Sequence, residues 1–241
     1  MNYIKLFFVF LHVLLGCSLS IFFFIISSNL KKNIIKKWSN ILLKILKIKI
    51  KNKEKLSEYF EYNKFLIFSN HISWLDIIVF NSIQPMTFIA KDDIKKWPFI
   101  GFLASQTNTI FINRKKIFDV KNTTNIIQSE FKKNINICIF PEGSSSYGYS
   151  LLNFKSNLFQ AAINLKKNVL PVCIQYFKNN AFTFSTAYCD DINFIDSIFN
   201  IIRSDGVQVV VSILDEISPG NDRKALSKKT YSAIYKKIFS L

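Results

Sequence analysis

Three observations predict the fold class. From residue 48 onward, short apolar runs alternate with amphipathic stretches, which predicts an α/β domain with a mostly parallel central sheet flanked by helices. Residues 6–26 carry no charge, which predicts an N-terminal membrane-associated helical segment. The chain of 241 residues is half hydrophobic and holds few Gly (6) and Pro (5), enough to bury a full core and too little to leave extensive disorder. The expected organisation is therefore two-part: residues 1–47 as membrane anchor plus basic amphipathic helix, and 48–241 as the α/β domain.

As a helix, residues 6–26 would extend about 31 Å at the usual rise per residue, matching a hydrocarbon core of roughly 30 Å. His12 lies inside and is given no role. A cleaved signal peptide is the rival, but the apolar run is too long for an ordinary h-region. Leu14-Leu15-Gly16-Cys17 loosely resembles a lipoprotein signal, yet the chain stays apolar from Leu19 to Ile26. Lys5 precedes the segment and Lys31, Lys32, Lys36 and Lys37 follow it. The positive-inside rule then places the bulk of the chain in the cytoplasm, on the inner (cytoplasmic) membrane. A helix lodged in one leaflet fits as well as one that spans.

In 31–47, Ile34, Ile35, Trp38, Ile41, Leu42 and Ile45 fall on one helical face and Lys37, Asn40, Lys44 and Lys47 on the other. Such a helix suits an anionic membrane surface or packs on its own domain. Ile48-Lys49-Ile50-Lys51 alternates like an edge strand. Strands are then expected at 65–69, 87–90, 109–112, 136–140, 169–176 and 207–214. Helices are expected at 76–82, 94–105, 118–133, 156–165, 194–202 and 223–239.

The formal charge of +16 suggests an anionic partner. Lys, Asn, Ile and Phe all have AT-rich codons, so genome composition inflates the same residues. The densest Lys clusters flank the apolar segment and no nucleic-acid motif is present, so membrane lipids are the expected partner and nucleic acid is not. Cys17, Cys138, Cys173 and Cys189 form no CxxC pair and have no nearby His, so neither a metal site nor a disulfide framework is expected.

Four stretches carry chemistry. His71 and Asp76, in Asn70-His71-Ile72-Ser73-Trp74-Leu75-Asp76, pair a group that titrates near neutrality with an acid that can fix its tautomer. Alone the pair is weak, since a structural histidine is the commoner outcome. A buried-type strand then ends in Pro141-Glu142-Gly143-Ser144-Ser145-Ser146, where α/β sites form. Glu142 is placed to orient a substrate hydroxyl, and Gly143, Ser144 and their neighbours offer N–H groups to an anion. An ordinary turn is the plain alternative. Asn113 and Arg114 close a third strand, where Arg114 suits a phosphate or is simply solvated. Val169-Leu170-Pro171-Val172 is a strand with an early Pro, or core.

In this order and spacing, the four stretches resemble the glycerolipid or lysophospholipid acyltransferase family, over residues 48–217. Asn70-His71 with Asp76 is similar to that family's His-x4-Asp block, and Phe140-Pro141-Glu142-Gly143 to its Pro-Glu-Gly block. Phe111 through Arg114 matches the block used for the substrate phosphate, and Val169 through Val172, with Pro171, the block on the acyl-donor side. The resemblance implies an acyltransferase that needs no cofactor or metal. His71 would be the base and Asp76 its orienting acid, acting on the hydroxyl of a lyso-lipid with acyl carrier protein or a CoA thioester as donor. The implied acceptor is 1-acylglycerol-3-phosphate, giving phosphatidic acid. The chain departs at Ser144-Ser145-Ser146, where the family commonly has Thr-Arg-Ser; Lys155 is the residue expected to compensate. Hydroxyl-rich versions of this turn, and Lys91 followed by Trp97-Pro98-Phe99-Ile100-Gly101, resemble the lyso-ornithine-lipid acyltransferase branch. A non-catalytic membrane lipid-binding protein is the alternative of a different class.

Overall fold

The structure, a computed structural model, describes residues 2–62, 64–107, 109–112, 120–133 and 135–240. In chain order the elements are α1 (Asn2–Ser20), a 3-10 turn (Ile21–Phe24), α2 (Ser28–Ile45), β1 (Lys49–Ile50), α3 (Lys53–Tyr62), β2 (Leu66–Ser69), α4 (Leu75–Ile83) and β3 (Thr87–Lys91). A 3-10 segment (Asp92–Lys96), α5 (Ile100–Gln106), β4 (Ile110–Ile112), α6 (Val120–Phe131), β5 (Ile137–Ile139), a 3-10 turn (Ser156–Phe159) and α7 (Gln160–Leu165) follow. The chain ends with β6 (Val169–Lys178), β7 (Ala181–Phe182), α8 (Phe194–Arg203), β8 (Gln208–Ile213) and α9 (Arg223–Phe239).

The strands form one sheet in the order β1-β8-β6-β2-β5-β3-β4, with β7 paired to β6. The β6 pairings with β8 and β7 are antiparallel, and the other described pairings are parallel. The fold is thus α/β with a mostly parallel sheet flanked by helices. Strand alternation explains its two cores. Ile67, Cys138, Leu170, Val172, Ile174 and Tyr176 point to the face covered by α2, α3 and α4. Leu66, Phe68, Ile137 and Ile139 point to the face where Ile127, Phe159 and Leu226 pack. β2 lies at the centre and is buried throughout, as a parallel strand covered on both faces must be.

The structure departs from the sequence reading in local ways. The helix expected at 94–105 is broken: Pro98 has no N–H to continue it, Phe99 takes a positive φ of 60°, and α5 starts at Ile100. A Cβ on Gly101 would lie 2.3 Å from the carbonyl oxygen of Lys95, so the 3-10 segment and α5 meet only at a glycine. Helix α3 had no counterpart in the expected elements, although Leu56 and Phe60, spaced i and i+4, are both buried. Trp38 and most of the apolar face of α2 turn toward the domain, while Ile41 stays exposed. Leu42, Leu43 and Leu46 enter the domain core, and Trp38 packs against it.

Helix α1 lies along the domain. Lys5 reaches Asp205 at 3.0 Å, and Asp205 also holds Lys47 at 2.8 Å. Val9 is buried. His12 stacks on Trp38 with ring centroids 4.8 Å apart. His12 Nε2 meets the Trp38 carbonyl at 2.9 Å, and Trp38 Nε1 donates to the His12 carbonyl at 2.9 Å. Gly16 is required here, because a Cβ would lie 2.5 Å from Trp38 Nε1. The other face of α1 is open, with Phe7, Phe8, Phe10 and Leu15 exposed, as is Phe24 in the turn that follows. The 22 residues Tyr3–Phe24 are long and apolar enough to cross a membrane.

Candidate active site

The site lies past the C-terminal ends of the central strands β2 and β5, where open α/β sheets bind ligands. β2 ends at Ser69, and Asn70 extends its ladder with a side chain. Asn70 Oδ1 accepts the Ile174 N–H at 2.8 Å, and its Nδ2 donates to the Ile174 carbonyl at 2.9 Å. This fixes where His71 leaves the sheet.

His71 is then held from every side. Its N–H donates to Glu142 Oε1 at 2.7 Å, and its carbonyl accepts the Ser146 N–H at 2.8 Å. Its ring stacks on Phe140 with centroids 4.1 Å apart. Nδ1 lies 2.8 Å from Asp76 Oδ2, which makes Nδ1 the donor and leaves Nε2 as the basic nitrogen. Asp76, in the first turn of α4, is fully buried. Its Oδ2 also accepts the N–H groups of Ile72 (2.7 Å) and Ser73 (3.0 Å), and its Oδ1 accepts the Tyr176 hydroxyl at 2.6 Å. A buried carboxylate needs such satisfaction to remain an anion.

His71 lines a chamber of about 540 Å³ that runs from the strand ends to the underside of the α1–α2 hairpin. Val13, Leu19, Phe23, Ile34 and Leu42 form much of its apolar wall. An aromatic group borders it: Phe194 lies 5.4 Å from both Trp74 and Trp97, and Tyr188 sits 6.3 Å from Trp97. A second cavity, about 400 Å³, shares Lys91, Phe140 and Gly143 with the chamber and adds Lys155. Gly143 has a positive φ of 73°, and a Cβ there would lie 2.5 Å from Lys155 Nζ. The Lys155 ammonium therefore sits directly on the glycine that joins the two cavities.

The expected site residues divide. His71 and Asp76 are brought together; Gly143 and Ser144 line the chamber; Lys155 lines the adjoining cavity. Glu142 faces the main chain rather than either cavity. It is 3 % exposed, lines neither cavity, and receives the Leu152 N–H on Oε2 at 2.8 Å besides His71 on Oε1. It is a bracket between two main-chain segments. Burial pushes its carboxyl up to about 7, against the opposing N–H bonds from Leu152 and His71. Pro171 lines neither of these two cavities either. It is buried within β6, opposite Phe68 of β2, and its carbonyl accepts the Leu214 N–H. The Gly143 N–H is taken by the Phe140 carbonyl at 3.0 Å, so it is not available to a substrate anion. Asn113 and Arg114 lie outside the described residues. Ser145 donates its hydroxyl to the Tyr188 carbonyl, beside Asp190, which lines the chamber and accepts the Tyr147 hydroxyl at 2.6 Å. Among the described residues no group of three or more His, Cys, Asp or Glu is placed to hold a metal, and all four cysteines are free.

The sequence reading missed Tyr176 and the aromatic border. Tyr176 carried one legible signal, a polar-tipped aromatic in a mostly apolar strand. Phe194 and Tyr188 reach the site only through the tertiary fold.

A family profile described as Acyltransferase matches residues 47–175, which include His71, Asp76 and the Glu142 turn. The 1-acyl-sn-glycerol-3-phosphate acyltransferase of Neisseria gonorrhoeae is 30% identical over 174 residues, covering 71% of this chain and 68% of that protein. The chain belongs to the acyltransferase family. This acyltransferase is also 28% identical to the lyso-ornithine lipid O-acyltransferase of Pseudomonas aeruginosa, over 71% of the chain and 66% of that protein. Its fold is shared with the 1-acyl-sn-glycerophosphate (LPA) acyltransferase PlsC of Thermotoga maritima, at a TM-score of 0.65 and 17% identity, over 99% of this chain and 97% of that one.

Proposed function

We propose that this acyltransferase moves a fatty acyl chain from acyl carrier protein or CoA to the free hydroxyl of a one-chain lipid, and that the acceptor is 1-acylglycerol-3-phosphate. The observation that carries this reading is the His71–Asp76 pair opening on an apolar chamber under an apolar hairpin. His71 Nε2 takes the hydroxyl proton as the oxygen attacks the thioester carbonyl. Asp76 stabilises the imidazolium through Nδ1–H. The tetrahedral oxyanion falls to main-chain N–H groups past Gly143, Ser144 first. Collapse expels the thiolate, which is protonated from His71. No side chain need carry the acyl group.

Lys155 and Lys91, on the cavity that meets the chamber at Gly143, suit the acceptor phosphate. The Neisseria relative, a 1-acyl-sn-glycerol-3-phosphate acyltransferase, supports that choice. A second reading has its own observation. Ser145 and the acidic Asp190 border the chamber, and an acid there favours a head group with an amine, as in a lyso-ornithine lipid. Offering the purified protein both acceptors side by side distinguishes the two. Preference for lysophosphatidate is expected; strong preference for the phosphate-free lipid overturns that acceptor in favour of the second reading.

The reading extends to the membrane. Because α1 touches the domain near both ends, through Tyr3 against Phe199 and Cys17 beside Phe99, it is proposed to lie in one leaflet with its open face in lipid. The leaflet is the cytoplasmic one of the inner membrane, where soluble donors reach the chamber.

A further inference from the structure

We propose that Tyr176 is a positioning residue for the catalytic pair, a hydroxyl reaching from the β-sheet to set the orientation of the Asp76 carboxylate and through it the basicity of His71. The inference rests on the reading of His71 as the base, and goes beyond it by naming a third member that the family-like blocks do not contain.

Asp76 can rotate about its Cβ–Cγ bond unless both oxygens are fixed. Oδ2 is fixed by three donors, all of them from the loop just before α4. Oδ1 is held from a separate layer of the fold, by the Tyr176 hydroxyl at 2.6 Å. Tyr176 is fully buried, with a ring packed in the core shared by Leu75 and Val79 of the same helix. Its ring is therefore a rigid spacer. Two residues earlier on β6, Ile174 clamps the Asn70 side chain. One strand thus holds both flanks of the His71 loop, Asn70 before it and Asp76 after it.

The hydroxyl acts only as a donor. Burial, reinforced by the Asp76 charge and by the bond itself, holds the Tyr176 phenol well above its ordinary range, so it stays protonated at any working pH. A donor on Oδ1 draws charge from the carboxylate and tempers its grip on the imidazolium. Among the described residues, the charged and titratable groups around His71 are Asp76 of α4, Glu142 on its backbone, Cys138 of β5 buried near Asp76, and Lys91, Asp93, Tyr188, Cys189 and Asp190 on the chamber walls.

Tyr176→Phe removes one oxygen and keeps the ring. With that donor gone, Asp76 holds the imidazolium more tightly, so the acid limb of the kcat/KM profile should rise by about one pH unit. At neutral pH kcat should fall about threefold, approaching tenfold on the acid side, with KM for the lipid acceptor little changed. The measurement is a pH–rate profile of the full-length protein in detergent micelles, with thermal unfolding in parallel and the His71 ring nitrogens followed by 15N NMR. A wild-type profile and His71 titration in a folded Tyr176→Phe protein overturn the proposal. If Tyr176→Phe fails to fold, the NMR spectrum of the wild type still decides. A Tyr176 hydroxyl proton shifted downfield and lost in Asp76→Asn supports it, and one unaffected by Asp76→Asn overturns it. His71→Ala separates the two levels: activity surviving that change sinks the reading of His71 as base, whereas its loss beside an unaltered Tyr176→Phe protein sinks only the role of Tyr176.

Discussion

The His71 loop and the N-terminal hairpin border the same chamber and are held by opposite means. The loop is fixed by hydrogen bonds arriving from four separated parts of the chain: Glu142 and Ser146 after β5, Ile174 and Tyr176 on β6, Tyr188 ahead of α8, and Asp76 on α4. The hairpin is tied by scattered side-chain contacts on its inner side, Lys36 with Ser57, Asn40 with the Ser82 carbonyl and Lys53, and Lys5 with Asp205, besides His12 with Trp38 between its own helices, and leaves a broad apolar face outside. The contrast separates two tasks. Proton transfer needs a base placed to a fraction of an ångström, which fixed polar partners in a buried setting supply. Placing the chamber at a bilayer needs only apolar area, which lipid accepts without geometry.

The sharpest break of the loop side is Asp76→Asn. The amide keeps the shape but does not hold the Nδ1–H tautomer, so kcat should fall about 10⁴-fold, measured by acyl transfer, while the circular dichroism spectrum is unchanged. On the hairpin side, replacing Phe7, Phe8 and Phe10 together by Ser removes three exposed apolar rings. The fraction sedimenting with anionic vesicles should drop about a hundredfold in partition coefficient, with turnover on detergent-dispersed lipid retained. Full retention on vesicles would show that another surface is the anchor.

Glu142 tests how the loop bracket couples to pH. Its carboxyl sits at about 7 in the fold against an ordinary 4.5. A raised acid favours the fold while protonated, so its contribution is complete below about pH 4.5 and is lost as the pH climbs to about 7. Wild-type stability should therefore decline over that interval by about 3 kcal/mol more than that of Glu142→Gln, read from denaturant unfolding at several pH values. The smallest effect is expected at Lys155→Met: a KM for lysophosphatidate raised about tenfold with little change in kcat, and no change for a phosphate-free acceptor.

Much of this contrast was legible in the sequence, for a physical reason. Strand–helix alternation and the uncharged run of 6–26 are local patterns, and they located the sheet and the apolar helix. The spacing of His71 and Asp76 is local too, because one loop and the first turn of α4 bring them together. What failed depended on partners far away in sequence. Glu142 resembled a substrate ligand until its two oxygens were seen to face the His71 and Leu152 amides, 71 and 10 residues away. Trp38 resembled an interfacial anchor because its cover, Gly16 and His12, lies on a different helix. Pro171 resembled a site residue, yet it occupies a central strand where its missing N–H and its neighbours are matters of packing. Tyr176 acts across 100 residues, and no periodicity announces that.

The most direct test of the account is acyl transfer by the full-length protein and its His71→Ala variant, in vesicles carrying a labelled one-chain lipid, with an acyl thioester supplied in solution. The account predicts a two-chain product from the wild type and none above background from a folded, membrane-bound His71→Ala protein. Turnover by that variant at a rate near wild type would contradict it.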